Sequence, residues 1–487
     1  MPKSTPSSSN RSRTRTSKKK PSTRKSATRR KKFENYHAAL KYLYERTDVE
    51  RTRPSRVPEG TFKLDRMRAI LEGLENPHES LRFVHVGGTN GKGSTVAMIS
   101  TCLQECGYAV GTYTSPHLVD IRERIQINDH VISYPAFTEL MTRVARAADD
   151  AEKKHGQASF FELMTALGFL YFAEQAVDVV IAEVGLGGRL DSTNVITPEV
   201  SVVTSISLDH MHFLGKTLPE IATEKAGIFK PGVPALVAKQ ETAVNEVFRA
   251  KSAEVGAPLY MLGDNVDFSN RFEANQQLGP HTRVGIAMGK ITFEHVPVPL
   301  PGEHQATNCG LALTVLALLR ERGFDVPESK IITGLEKTVI PGRMEVLGRE
   351  PRVLLDGAHN PAALQALVRS IGAHIPYDSM VMIVGCSADK DVDGILEKVA
   401  LGGDKVIFTR TKGNPRAADA EQLAHRFTEL SGKVCQTAAS LEEALSIAGR
   451  AAGRDDLVVI TGSFYLVGEA KKLLSDRAAK LAASAAN

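Results

Sequence analysis

The chain has 487 residues, 42% hydrophobic and 24% charged, a balance that fits two or three globular domains and excludes a wholly disordered or membrane-embedded protein. The formal charge of +5 hides an asymmetry: residues 1–32 carry thirteen Lys/Arg and no acid, which leaves −8 for the rest. The most apolar stretch, GFLYFAEQAVDVVIAEV, is interrupted by Glu174 and Asp178 and does not span a bilayer, and five cysteines without paired CxxC spacing point to a reducing cytoplasm.

Residues 1–32 have nothing to bury and read as a disordered basic tail that binds polyanions non-specifically; they lack the apolar core of a secretory signal. After them, NYHAALKYLYERT and FKLDRMRAILEGL carry helical spacing. From Leu81 strands and helices alternate: LRFVHV, a Gly-rich loop and helix, VGTYTS, two long helical runs, DVVIAEV, VSVVTSI, LPEIATEKAGIFK and PALVAK. Val/Ile runs without period-two alternation are strands covered on both faces, hence a parallel sheet flanked by helices. Residues 258–300 read as a short irregular β region, and EHQATNCGLALTVLALLRERG as a helix. Pro341-Gly342 interrupts the pattern near Ile340, and RVLLDGA, MVMIVGC, KVIFTR and LVVITG open a second alternating series. The expected fold is α/β with two domains: a P-loop ATPase-like parallel sheet over residues 33–340 and a smaller Rossmann-like domain over 341–487.

The stretch VGGTNGKGST, residues 86–95, joins a buried strand to a helix start. Such a turn aims backbone N–H groups and the positive end of the helix dipole at one small volume, which suits phosphate. Glycines allow close approach, Lys92 reaches the terminal phosphates, and Ser94 or Thr95 can touch Mg²⁺. Gly93 separates the lysine from the hydroxyl, so this is a variant of the usual P-loop.

Other strands also end in polar residues. EVGLGG presents Glu183, SLDHMH presents Asp209, His210 and His212, and TEKAG places Glu224 and Lys225 on the next helix. Glu183, His210 and Ser94 or Ser115 suit a Mg²⁺ ion beside a triphosphate. In LLDGAHN, Asp356 can accept a ribose hydroxyl and His359 can face phosphate, with Arg343 near the hinge.

GTNGKGS, TSPHLVDIRERI, FFELMTALGF, EVGLGGRLDSTN, SISLDHMHFLG, EKAGIFK, PGEHQATN, PGRMEV and LDGAHNP stand in an order that resembles the folylpolyglutamate synthase and dihydrofolate synthase family of the Mur ligase superfamily, from about Leu64 to Leu466. The resemblance implies that Thr89, Asn90, Gly91, Lys92, Gly93 and Ser94 hold ATP phosphates, that Asn308 and Asp356 bind adenosine, and that Arg343 and His359 approach the phosphates. It implies two Mg²⁺ ions, one on Ser115 and Glu183, the other on Glu183, His210 and Lys225. An ammonium is a poor metal ligand, and the resemblance implies that Lys225 is carbamylated. Thr61, Leu64, Ser159, Phe161, Leu190, Asp191 and Ser192 are the implied pterin contacts.

The implied reaction is ATP-dependent amide ligation in a monomeric cytoplasmic enzyme, with dihydropteroate or folates and L-glutamate as substrates and Lys92, Glu183 and His359 as catalytic groups. Polyglutamylation alone is the narrower alternative. A basic-tailed nucleic-acid-binding P-loop ATPase is the alternative of another class, and it gives Glu183, His210 and Lys225 no task.

Overall fold

The computed structural model describes residues 33–485 apart from 59, 277–278 and 349, so the tail expected over residues 1–32 lies outside the described residues. Helices α1 (Tyr36–Tyr44) and α2 (Leu64–Glu72) precede β1 (Phe83–Gly87), whose five residues FVHVG are all buried. There follow α3 (Lys92–Glu105), β2 (Val110–Tyr113), β3 (Ile125–Ile127), β4 (His130–Val131), α4 (Tyr134–His155), α5 (Phe160–Glu174), β5 (Val179–Glu183), β6 (Val200–Val203), α6 (Met211–Leu214), α7 (Leu218–Ala226), β7 (Ala235–Val237), α8 (Thr242–Val255) and β8 (Leu259–Met261). These strands form one sheet of order β4-β3-β2-β5-β1-β6-β7-β8, parallel from β2 to β8. A central strand of such a sheet has no solvent face, which is why β1 and β5 read as unbroken apolar runs.

The antiparallel edge β3–β4 was not among the sequence expectations. Asn128 and Asp129 both take positive φ (46° and 63°) between its two strands, the backbone that a two-residue hairpin requires. The stretch expected to be irregular β is regular: after β8, strands β9 (Asp267–Asn275), β10 (Gly279–Met288) and β11 (Ile291–Pro297) form an antiparallel meander. Most of β9 is exposed, so its polar residues mask the strand pattern. Val284, Ile286, Phe293 and Val296 pack on α9 (Glu303–Glu321), and α9, α3 and α10 (Glu328–Lys337) cover one face of the large sheet. The opposite face, through Phe83, Val180 and Ala182, packs on α1, α2, α4 and α5.

A six-stranded second sheet begins with β12 (Glu345–Leu347) and β13 (Arg352–Leu355). It continues through α11 (Pro361–His374), β14 (Met380–Val384), α12 (Val392–Gly402), β15 (Lys405–Phe408), α13 (Ala420–Ser431), β16 (Gln436–Thr437), α14 (Leu441–Ala451), β17 (Leu457–Thr461) and α15 (Phe464–Ala485). Its order is β12-β13-β17-β14-β15-β16, parallel except for β12. Loops beyond the carboxyl ends of both sheets line one cavity of about 800 Å³, where open α/β sheets bind ligands.

Two ion pairs, each on a buried arginine, brace the walls of that cavity. Arg124, 1% exposed, pairs through both terminal nitrogens with Glu50, and the Glu50 carbonyl accepts the Tyr465 hydroxyl at 3.3 Å, joining the two units. Arg66 Nε lies 2.9 Å from both Glu162 oxygens, and its Nη2 donates to the Thr61 carbonyl at 2.6 Å. Arg66→Met leaves the buried Glu162 carboxylate without its counter-charge, and urea unfolding should report a loss of about 3–5 kcal/mol.

Candidate active site

The loop after β1 has the conformation its glycines allow. Gly88 and Gly91 take φ of 133° and 90°, and a Cβ would lie 1.8 Å from Thr204 Oγ1 at the first and 2.2 Å from Asn308 Oδ1 at the second. β6 and the residues after it hold the loop: the N–H groups of Thr89 and Asn90 donate to the Ser205 carbonyl at 2.9 and 3.3 Å, and Thr204 Oγ1 donates to the Asn90 carbonyl at 2.8 Å. Helix α3 starts at Lys92 with no side chain capping it, so its first N–H groups remain free for an anion. Lys92 Nζ folds back to the Thr89 carbonyl (3.1 Å) and stands 3.9 Å from Glu183 Oε1.

Glu183 ends β5 and is buried, with Oε2 accepting the Ser115 N–H at 3.1 Å. Burial pushes its carboxyl pKa up, against the opposing pull of Lys92. Lys225, on α7, is buried too and donates from Nζ to the Gly88 carbonyl at 2.7 Å. Burial, reinforced by the Lys92 charge, brings its amine down to about 7. His210 begins α6 in a left-handed conformation (φ 49°), and desolvation followed by the Lys390 charge holds its imidazole well below the usual range, leaving it neutral with a lone pair to give.

Ser115, Glu183, His210 and Lys225 all line the cavity, as do Thr89 to Gly93, Arg343 and His359. Among the described residues no three His, Cys, Asp or Glu side chains cluster tightly enough to hold a metal by themselves. Glu183 offers one carboxylate, Ser115 a hydroxyl and the neutral His210 a nitrogen, which suits Mg²⁺, an ion that keeps several waters and takes one or two carboxylates plus substrate phosphate oxygens; Lys225 as an ammonium offers it nothing.

The other expected residues divide. Thr61, Ser159, Phe161, Leu190, Asp191 and Ser192 line the cavity; Leu64 does not and sits half-buried at the start of α2. Ser94, Asn308 and Asp356 stand behind the wall. Asn308 Nδ2 donates to Gln305 Oε1 (2.9 Å) and Gln305 Nε2 to Ser94 Oγ (3.3 Å), a chain that props the phosphate loop from beneath. Asp356 accepts the N–H groups of Met344 (2.9 Å) and Ala358 (2.8 Å), bracing the segment that carries Arg343, whose guanidinium carbon lies 4.3 Å from the Phe464 ring centre.

Residues 86–316 match the Mur ligase middle domain, and residues 342–464 match the glutamate ligase domain of Mur ligases. The chain is 35% identical to the dihydrofolate synthase/folylpolyglutamate synthase of Bacillus subtilis over 84% of its own length and 94% of that protein. The Escherichia coli dihydrofolate synthase/folylpolyglutamate synthase is 34% identical over 80% of this chain and 86% of its own. The chain belongs to the folylpolyglutamate synthase/dihydrofolate synthase family. It is therefore a Mur-type ligase that forms C–N bonds. Solved structures agree: the Mycobacterium tuberculosis folylpolyglutamate synthase complexed with ADP has a TM-score of 0.81 at 30% identity, covering 90% of this chain and 99% of that one. Escherichia coli FolC in complex with DHPP and ADP has a TM-score of 0.78 at 30% identity, covering 91% and 98%.

In this folylpolyglutamate synthase/dihydrofolate synthase family member, a polar cluster that sequence reasoning missed ties the second unit to the phosphate loop. Lys390 Nζ lies 2.5 Å from Asp209 Oδ1, and His359 Nε2 lies 3.5 Å from Asp209 Oδ2. Asn360 Nδ2 donates to Asn90 Oδ1 (3.0 Å) and Asp209 Oδ2 (3.4 Å), while Asn90 Nδ2 donates back to Asn360 Oδ1 (3.4 Å). Burial alone would raise the Asp209 carboxyl, but the Lys390 ammonium against it and the His359 hydrogen bond outweigh burial and hold it well below the usual range. Asp209 at a strand end was visible in SLDHMH; Lys390, in the loop CSADKD, carries no spacing signal.

Proposed function

We propose that this ligase adds L-glutamate to dihydropteroate and to folates that already carry glutamate, consuming ATP and passing through an acyl phosphate. What carries this reading is one cavity lined both by an anion-cradling loop with Lys92 and by Thr61, Ser159, Phe161 and Leu190 to Ser192, with Glu183, His210 and Lys225 in the same wall. A volume of about 800 Å³ is in the range of sites that enclose drug-sized ligands.

The loop N–H groups and Lys92 bind the triphosphate, and Arg343 and His359 approach it from the second unit. An oxygen of the acceptor carboxylate attacks the γ-phosphorus and ADP departs. Lys92 stays with the transferring phosphoryl group and offsets the charge on its oxygens. The neutral amine of glutamate then attacks the acyl carbon, loses a proton, and inorganic phosphate leaves as the amide forms. Magnesium, when bound, supplies charge neutralisation here, with Ser115 and Glu183 as holders of one ion and Glu183, His210 and a carbamylated Lys225 as holders of a second. Residues 33–340 and 341–487 act as two domains that close on ATP through Asn90, Asn360, Asp209 and Lys390. We assign the enzyme to the cytoplasm as a monomer, with residues 1–32 as a non-specific polyanion-binding tail; among the described residues no helix is long and apolar enough to cross a membrane.

The test is incubation with ATP, Mg²⁺, glutamate and either dihydropteroate or tetrahydrofolate, following ADP release and product mass. Glutamate addition to both acceptors is the expected result. Addition to tetrahydrofolate alone would reduce the function to polyglutamylation, and ATP turnover without ligation of either would overturn the reading.

A further inference from the structure

Strand β1 contains one polar side chain, His85, fully buried in the middle of FVHVG two residues before the loop glycines. Burying an imidazole is costly unless its nitrogens are used. Its Nε2 lies 2.8 Å from Thr193 Oγ1, and Thr193 Oγ1 lies 2.5 Å from Asp191 Oδ1. Thr193 is fully buried and Asp191 is 4% exposed, yet Asp191 lines the cavity.

We propose that Thr193 and His85 are positioning residues for the acceptor substrate, holding the Asp191 carboxylate in the cavity wall through a hydrogen-bond chain anchored on the strand that carries the phosphate loop. The inference rests on the reading above that Asp191 faces the acceptor. The chain has one direction. A hydroxyl has a single hydrogen, and at 2.5 Å from a carboxylate oxygen that hydrogen goes to Asp191. Thr193 Oγ1 then accepts, so His85 donates from Nε2 and its Nδ1 is the bare nitrogen. Nδ1 is buried without a partner among the described residues. Burial brings the imidazole down to about 3, so it stays a neutral donor throughout the working range of an enzyme.

The rest of the Asp191 shell is formed by backbone N–H groups. Oδ1 is filled by the Thr193 hydroxyl and by the Thr193 N–H at 3.0 Å; Oδ2 accepts the Leu186 N–H at 2.8 Å. The Gly185 N–H also acts on this carboxylate, and Asp191 lines the cavity, so a ring N–H donor of the acceptor would meet a carboxylate whose orientation is already set. Without the Thr193 hydroxyl only backbone N–H groups hold the carboxylate, and the short side-chain bond that helps fix its plane against β1 is lost. The chain thus connects acceptor recognition to β1, so that one rigid strand registers the acceptor against the phosphate loop.

The experiment is steady-state kinetics of the full chain with dihydropteroate and ATP varied separately, on Asp191→Asn, Thr193→Val, Thr193→Ser, His85→Leu and His85→Gln, each also checked by thermal melting. Loss of the Thr193 hydrogen bond to the Asp191 carboxylate predicts that Thr193→Val raises the KM for dihydropteroate about tenfold, and loss of the donor behind it that His85→Leu raises it in the same direction, while the KM for ATP and kcat move less than about twofold. Thr193→Ser keeps the hydroxyl and His85→Gln keeps a donor at similar reach, and both recover most of the loss. A raised acceptor KM in Asp191→Asn with an unchanged one in Thr193→Val would overturn the chain and leave the Asp191 reading standing. Equal rises in both KM values would mean a merely structural role and overturn it too. An unchanged acceptor KM in Asp191→Asn would remove the reading itself and the inference with it. Thr193→Val is nearly isosteric, so the test survives if a His85 variant fails to fold.

Discussion

Lys92→Met is expected to lower kcat by about 10²–10³ while leaving the KM for the acceptor nearly unchanged, because the charge it removes acts on the phosphoryl group in transit. In the structure the ammonium hangs over the start of α3, 3.1 Å from the Thr89 carbonyl and 3.9 Å from Glu183. Neither contact is strong enough to hold it once a triphosphate offers three oxygens at the same helix terminus. The site is walled by buried residues, so one positive charge there is worth several times its value in water. Lys92→Arg should not restore the rate: a broad planar guanidinium cannot take the place of a compact ammonium beside Glu183. Rapid-quench measurement of ADP formation in a single turnover reads the step directly. A variant with normal burst kinetics and only a raised KM for ATP would show that Lys92 binds ground-state nucleotide and does not act on the transfer.

Where the sequence was informative, one physical rule applied each time. β1, β5 and β6 are legible because a strand buried on both faces must be apolar throughout, and Glu183 stands out because it ends such a run. The loop is legible because left-handed φ values at Gly88 and Gly91 exclude other residues. The cluster around Asp209 is different. Lys390 meets it across 181 residues and Asn360 meets Asn90 across 270, and nothing in local spacing encodes which loops two separate sheets will bring together. His85 was hidden for the opposite reason: one histidine in a valine-rich strand looks like core. Asp356 shows the limit of a motif, since LDGAHN marks the position but not that both carboxylate oxygens accept backbone N–H groups.

Lys225→Ala should reduce kcat by a similar factor of about 10²–10³, and short carboxylic acids such as acetate should partly restore it. An ammonium at this position is opposed twice, by burial and by the Lys92 charge, and the amine falls to about 7. The lowering from 10.5 has a definite sign: above about pH 7 the neutral, CO₂-reactive amine predominates, and below it the proton blocks the reaction. Addition of CO₂ to that amine forms an N–C bond and releases one proton. It would set a negative carbamate beside the Lys92 ammonium, and in the proposed reading its oxygens would add an anionic donor to Glu183 and His210. Wild-type enzyme should therefore lose activity on exhaustive removal of CO₂ near pH 6, recover it with bicarbonate near pH 8, and give a carbamate carbon resonance with ¹³C-bicarbonate. The Ala variant separates the two possible chemistries of the side chain. Rescue by acetate but not by ethylamine means that an anionic oxygen is missing; rescue by ethylamine alone means that the free amine is the working form, held by its 2.7 Å bond to the Gly88 carbonyl.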